Sequence, residues 1–293
     1  MIKYYKKMKL IKPYFNTIEQ QAGLEGMYKQ IEMAGRTCYK SEDKITETSA
    51  KEFVDRMIKS GHGAMLEHGT VYLKFETVKS AIHPLDKYYH NKYSKVHTEA
   101  GHTKSLTKEV FVTTNLRVLV ENDWMDDLQY LCEPTEYHER RYTVKFICDR
   151  GVSHEFVRHR VFSFAQESTR YCNYSKDKFD NEITFIMPCW MDEEELASYG
   201  PYHTVCRSKT PESIFIASLN NAEQDYKDLI DMGWKTQQAR AILPNALKTE
   251  LVMTGFESDW KHFFYLRCPG SAHPQARELA IPLKEEFINR KYI

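Results

Sequence analysis

The run Arg158-His-Arg-Val-Phe-Ser-Phe-Ala-Gln-Glu-Ser-Thr-Arg-Tyr171 gathers three guanidiniums, one imidazole and the hydroxyls of Ser163 and Ser168 within fourteen residues, with Glu167 as its lone carboxylate. Guanidinium forks match phosphate oxygens in pairs, and a serine hydroxyl or a loop amide completes the donor set for a phosphomonoester. The competing explanation from composition is a solvated helix end whose dipole favours cations. Just upstream, Tyr142 to Cys148 alternates as a strand does, and Val152 to Arg160 reads as a helix. The cationic run therefore hangs on a strand followed by a helix.

Further downstream, Arg240 precedes Ile242-Leu-Pro244 and Arg267 follows Phe263-Phe-Tyr-Leu266. An arginine flanked by apolar residues is placed against a partner, either an ordinary salt bridge at a core edge or a ligand. Helices are expected over 211–232, with Phe215, Leu219, Ala222, Tyr226 and Leu229 on one face, and over 258–267 and 274–290. Pro274 suits a first turn, and Pro282 should kink or divide the last helix. Toward the N-terminus, helices are expected over 17–34 and 48–60, the second opening at Thr48 and closing at Gly61. The strand Gly69 to Glu76 places Val71, Leu73 and Phe75 on one face. Residues 79–108 read as irregular, Val110 to Thr114 and Leu116 to Glu121 as two short strands or one long one, and Asp123 to Leu131 as a short helix. With no repeat, low-complexity tract or Gly/Ser linker, the economical reading is one α+β domain over 1–293 carrying an insertion at 79–141.

The 41 Lys plus Arg balance 41 Asp plus Glu, which argues against a global basic field for nucleic acid. A single-strand or RNA-binding module is the rival suggested by 19 Tyr, 15 Phe and the Arg-rich run, and the zero net charge opposes it. The longest unbroken apolar runs are four residues, far short of the ~20 of a spanning helix, so no membrane segment is expected. The basic, Arg-free start carries no leader pattern, and a cytoplasmic protein is expected. Seven cysteines form an odd set without a C-x-x-C pair, which suits buried thiols. His154-Glu155-Phe-Val-Arg-His159 spaces its histidines by five, where H-E-x-x-H needs four. His83, His90, His97 and His102 crowd one segment without a carboxylate pair, and no metal site is expected.

Arg158-His-Arg, seven residues, then Ser168 resembles the R-H-R-x7-S signature of flavin-dependent thymidylate synthases. Glu67-His68 ahead of a strand, Ala239-Arg240-Ala-Ile-Leu-Pro244, and Trp260-Lys-His262-Phe-Phe-Tyr-Leu-Arg267 resemble further elements of that family, in consistent order over roughly 15–78 and 142–290. The chain departs from the pattern at Phe256-Glu257-Ser258, where the family often has Asn-x-Arg, and at Cys38, where Ser is frequent.

The resemblance implies a mainly antiparallel sheet flanked by helices and a homotetramer with shared sites. It implies reductive methylation of dUMP to dTMP, with 5,10-methylenetetrahydrofolate giving the carbon, NADPH-reduced FAD giving the hydride, and no protein nucleophile. Arg158, His159 and Arg160 would hold FAD, with Arg158 also touching dUMP. Gln166, Glu167, Ser168, Thr169 and Arg170 would bind the nucleotide and its phosphate, with Gln166 also near the flavin. Glu155, Phe156 and Val157 would help from another subunit. Arg240 and Arg267 would bracket the pyrimidine, and Arg267 would act catalytically by favouring ionisation at N3. Thr70 and His262 are further flavin contacts, and His68 would lie by the folate. A related flavin- and folate-dependent methylase or hydroxymethylase of pyrimidine nucleotides is the neighbouring alternative.

Overall fold

The computed structural model describes residues 9–78, 85–100, 107–174, 182–191 and 210–293. Its strands are β1 (Lys9–Ile11), β2 (Tyr14–Ile18), β3 (Thr70–Val78), β4 (Lys95–Ala100), β5 (Thr107–Asn115), β6 (Arg141–Asp149), β7 (Ser163–Gln166), β8 (Thr184–Ile186) and β9 (Lys248–Phe256). A central antiparallel sheet has the order β2-β6-β9-β7, a second antiparallel sheet the order β3-β5-β4, and β1 pairs with β8 in parallel.

Both faces of the central sheet are covered. Val144, Phe146, Leu251 and Met253 face a core built with Trp260, Phe263 and Phe264 of the helix Glu257–Arg267 and with Leu279, Leu283 and Phe287 of the helix Pro274–Asn289. Truncating a fully buried ring such as Phe263 should cost about 3–5 kcal/mol. The other face is polar at one end. Thr143, Thr254 and Ser163 share a row, and helix α1 (Gly23–Tyr39) crosses it, with Gln30 donating to Thr143 at 2.7 Å. α1 also packs with α2 (Ser49–Lys59) against β3 and β5, giving a second core of Met27, Ile31, Phe53, Val54, Leu73 and Val112.

Several elements depart from the sequence-based expectation. Tyr14–Ile18 is a strand paired to β6, and α1 begins only at Gly23 and runs to Tyr39. The segment read as irregular contains α4 (Asp86–Tyr89), preceded in the chain by the short α3 (Gly63–Leu66), and β4, which pairs with β5; residues 79–84 and 101–106 lie outside the described ones. Leu116–Glu121 is helix α5, because the Asn115 side chain accepts the Val118 amide at 3.2 Å and caps a helix that buries Leu116 and Leu119. β9 escaped a period-two reading because its residues from Thr249 to Phe256 are buried on both faces. The helix Pro211–Asp231 forms as expected, with Thr210 in a capping box, but its buried face is Ile216, Leu219, Glu223 and Tyr226. Pro282 lies inside a helix that continues through it.

Candidate active site

Asp149 closes β6 and accepts the Val152 amide at 2.6 Å, capping helix α6 (Arg150–Phe156). The expected helix to Arg160 stops at Phe156. Phe156 and Phe162 both enter the same core, and six helical residues would leave them about 120° apart around the helix. The chain instead turns, with the His159 amide donating to the Phe156 carbonyl and the Phe162 amide to the His159 carbonyl, each at 3.1 Å. Phe162 is seated 4.7 Å from the Trp260 ring and over Gly255, where a Cβ would come within 2.5 Å of the ring. That close approach fixes the height of the Arg158–Arg160 turn above β9.

Arg267, at the end of its helix, meets this turn. Its Nε donates to His159 Nε2 at 2.9 Å, its Nη1 to Glu155 Oε2 at 2.6 Å and its Nη2 to the Glu155 carbonyl at 2.6 Å. The first bond needs a lone pair on His159, so the imidazole is neutral. Burial first, then the nearby Arg267 and His262, push its pKa down to about 4, against the opposing Glu155. Arg158 and Arg160 lie on the outside of the turn. Arg158 is 72% exposed and 3.8 Å from Glu155, while exposed Arg160 has no hydrogen-bond or ion-pair partner among the described residues. Exposed His262 stands with its ring centroid 6.4 Å from that of His159.

A second cluster forms where β7 ends. Gln166 donates to Ser153 at 2.8 Å and to Thr249 at 3.2 Å. The Ser168 amide donates to the Cys38 carbonyl at 2.9 Å, and the Tyr171 and Cys172 amides return to the Ser168 carbonyl at 3.1 and 3.0 Å, which makes a tight turn. Arg240 donates to the Thr169 hydroxyl at 3.2 Å. Arg170 is exposed, 5.4 Å over the Tyr171 ring. Among the described residues no hydrogen bond or ion pair joins Ser168–Arg170 or Arg240 to Arg158–Arg160 or Arg267. The chain presents two separate clusters, each a candidate half-site.

Four expected site residues are buried. Phe156 is wholly buried against Phe146 and Phe263. Glu167 is buried beneath the second turn. His68 is fully buried, its Nδ1 2.8 Å from the Thr254 hydroxyl, and burial followed by the Arg141 charge pushes its pKa down to about 3. Thr70 is buried, accepting from Arg141 at 3.2 Å and tied through its backbone to Gln20. Sequence reasoning passed over Arg141, whose guanidinium donates to the Glu67 carbonyl, Thr70 and Ser163 at 3.0 to 3.2 Å with no carboxylate in ion-pair range among the described residues. Burial pushes its pKa down to about 10. An Arg at the head of a strand, ahead of an alternating run, was the available signal.

His154 is exposed and His159 lies beyond the end of α6, so the two histidines do not share a helix. No group of three or more His, Cys, Asp or Glu converges among the described residues, and His83, His102 and Cys206 lie outside them. No described helix is long and apolar enough to cross a membrane.

The model of the thymidylate synthase complementing protein family matches residues 133–290, more than half of the chain. The chain belongs to that family. Both half-sites fall inside the matched segment, whereas the β3-β5-β4 sheet precedes it. Among curated relatives, the chain is similar to proteins named flavin-dependent thymidylate synthase. It is 32% identical to that of Pyrococcus furiosus over 49% of this chain and 52% of the relative, and 29% identical to that of Geobacter sulfurreducens over 46% and 50%. The match with the Corynebacterium glutamicum protein is 24% identical over 90% of this chain and 76% of the relative. The aligned part thus spans about half the length of the Pyrococcus and Geobacter proteins. Among solved structures it is similar to a UMP/dUMP methylase of Streptomyces cacaoi bound with 5-Br UMP, at 14% identity and a TM-score of 0.44 over 97% of this chain and 92% of that one.

Proposed function

We propose that this chain is a flavin-dependent thymidylate synthase acting as one catalytic unit, methylating dUMP to dTMP with 5,10-methylenetetrahydrofolate as carbon donor and NADPH as reductant. The observation that carries the reading is the Arg267 clamp beside the exposed Arg158–Arg160 turn, both within the family-matched segment. Two exposed guanidiniums, one with no partner among the described residues, next to a neutral imidazole form a donor set suited to the phosphate and carbonyl oxygens of FAD. Reduced FAD supplies the hydride when bound.

The residues of the chain bind and orient. Arg158, His159, Arg160 and His262 hold the flavin. Ser168, Thr169, Arg170 and Arg240 receive the nucleotide, with the phosphate on Ser168 and Arg170. Arg267 holds a fixed positive charge at the uracil edge, where negative charge develops at N3. The two half-sites are completed by a second copy in a homotetramer. In support, exposed apolar side chains lie beside four of the five arginines: Val161 after Arg160, Tyr171 after Arg170, Ile242 two residues past Arg240, and Tyr265 and Leu266 before Arg267. Cys172 is buried, packed with Tyr174, Ile183 and Phe185.

The test is the absorbance spectrum of the purified protein together with dTMP formation from dUMP. Flavin bands and product that depends on both the folate and NADPH are expected. Protein that stays colourless after incubation with FAD and forms no dTMP overturns the reading.

A further inference from the structure

Glu167 lies between Gln166 and Ser168, yet its side chain is 1% exposed. Both carboxylate oxygens are occupied: the Tyr174 hydroxyl donates to one at 3.0 Å and the Lys248 ammonium to the other at 2.8 Å. Lys248 is shared, donating also to Glu250 at 2.8 Å. Glu250 in turn pairs with Lys40 and, at 2.5 Å, with Lys145. Lys40 closes α1 with a left-handed φ of 48°, and Lys145 lies on β6. A line of charge thus runs beneath the Ser168 turn from α1 through β6 and β9.

Burial opposes the charges of Glu250 and Lys248, and the neighbours outweigh it. Lys248, Lys40 and Lys145 hold the Glu250 carboxyl well below the usual carboxylate range, and Glu167 and Glu250 hold the Lys248 ammonium above its usual range. The plain alternative is that Glu167 merely neutralises Lys248. Glu250 is shared among Lys248, Lys40 and Lys145, so it does not balance Lys248 alone, and Glu167 serves that balance as well. What the Glu167–Lys248 pair adds is a second hold on the turn. Its backbone is already fastened through the Glu167 amide to the Glu250 carbonyl at 2.8 Å and the Ser168 amide to Cys38 at 2.9 Å. The side-chain bond fixes the rotation of the segment about that anchor.

We propose that Glu167 and Lys248 are positioning residues whose buried ion pair sets the Ser168–Arg170 turn to receive the phosphate of a pyrimidine nucleotide, without either touching the ligand. The proposal rests on the reading of that turn as the nucleotide-binding segment. It also corrects the role of Glu167 from a contact to a support.

The experiment compares full-length wild type, Glu167→Gln, Lys248→Gln and the double variant, all with flavin bound. Equilibrium dialysis measures dUMP affinity, and single turnover at saturating dUMP isolates the chemical step. Each single variant strands one buried charge and should weaken dUMP binding about tenfold to a hundredfold, with the saturated rate within about threefold of wild type. The double variant strands none and should recover about tenfold or more of that loss. Wild-type affinity in Glu167→Gln overturns the proposal. So does an inert Lys248→Gln beside a weakened Glu167→Gln, or a double variant with no recovery, since Glu167 would then act by contact. If a single variant does not fold, the charge-balanced double variant decides: affinity near wild type supports positioning and full loss overturns it. Wild-type protein that holds flavin but binds no dUMP removes the nucleotide reading itself, whereas binding in wild type with unaffected variants removes only the positioning role.

Discussion

Arg267 has three nitrogens bound within its own chain and is 14% exposed, whereas Arg170 lies open over Tyr171 and Arg240 makes a single bond to Thr169. The two half-sites place the same side-chain type under opposite constraint. A guanidinium held on three sides does not reorganise when charge appears beside it, so its field is in place before the chemistry starts. An exposed guanidinium follows the group it binds, and a phosphate unchanged by the reaction is held equally in ground and transition states. Rigidity is concentrated at Arg267 and adaptability at Arg170 and Arg240.

The largest effect expected of this contrast is at Arg267. Arg267→Ala should lower the single-turnover rate of dTMP formation by roughly 10² to 10³, with flavin content kept, the range seen when one preorganised donor is lost. Arg267→Lys should recover little, because an ammonium cannot bind His159 and both Glu155 oxygens in one plane. An unchanged rate at saturation would place Arg267 with the anchors.

Acid should break the Arg267 half first. With a folded pKa of about 4 against about 6.5 unfolded, His159 costs nothing above pH 6.5. Below that pH the unfolded chain takes a proton that the native state refuses, and stability falls until about pH 4. Between pH 7.5 and 5 the loss from this residue should be about 2 kcal/mol, read by urea unfolding as a difference that shrinks in His159→Asn. The Glu250 carboxyl under the other half is held low, so its contribution is whole above the ordinary carboxylate range and is lost progressively as the pH falls through that range and below it. Equal acid sensitivity in His159→Asn and wild type would contradict the neutral clamp.

At the anchoring half, Arg170→Ala should raise KM for dUMP about tenfold while leaving the rate at saturation within about twofold. A matching fall in the saturated rate would erase the distinction between the halves. The smallest effect is expected at Cys172, which is 2% exposed in an apolar cluster. Cys172→Ser should retain a wild-type rate within about twofold. A folded, flavin-bound and inactive variant would point to a thiol nucleophile.

Much of this arrangement was legible beforehand. The cationic run, Arg240 and Arg267 were identifiable because chemistry-bearing side chains in fixed spacing survive as a linear pattern. The helices 49–59, 211–231, 257–267 and 274–289 were legible because each buries one stripe or carries end signals. β9 was not, since Thr249 to Phe256 is buried on both faces and shows no alternation of apolar and polar residues. Leu116–Glu121 was misread because a short apolar run fits either period until a cap decides it.

By itself the sequence determined which groups are available for the chemistry: guanidiniums, hydroxyls and imidazoles near a strand and a helix, with no excess charge to bind indiscriminately. Only the tertiary structure decided which of them are fixed, which are free and which are buried. Glu155 and His159 grip Arg267 across more than a hundred residues of chain, and Glu167 turns inward to Lys248. Those partners are chosen by the stacking of β7, β9 and two helix ends, and contacts at such separation leave no periodicity in the chain to read.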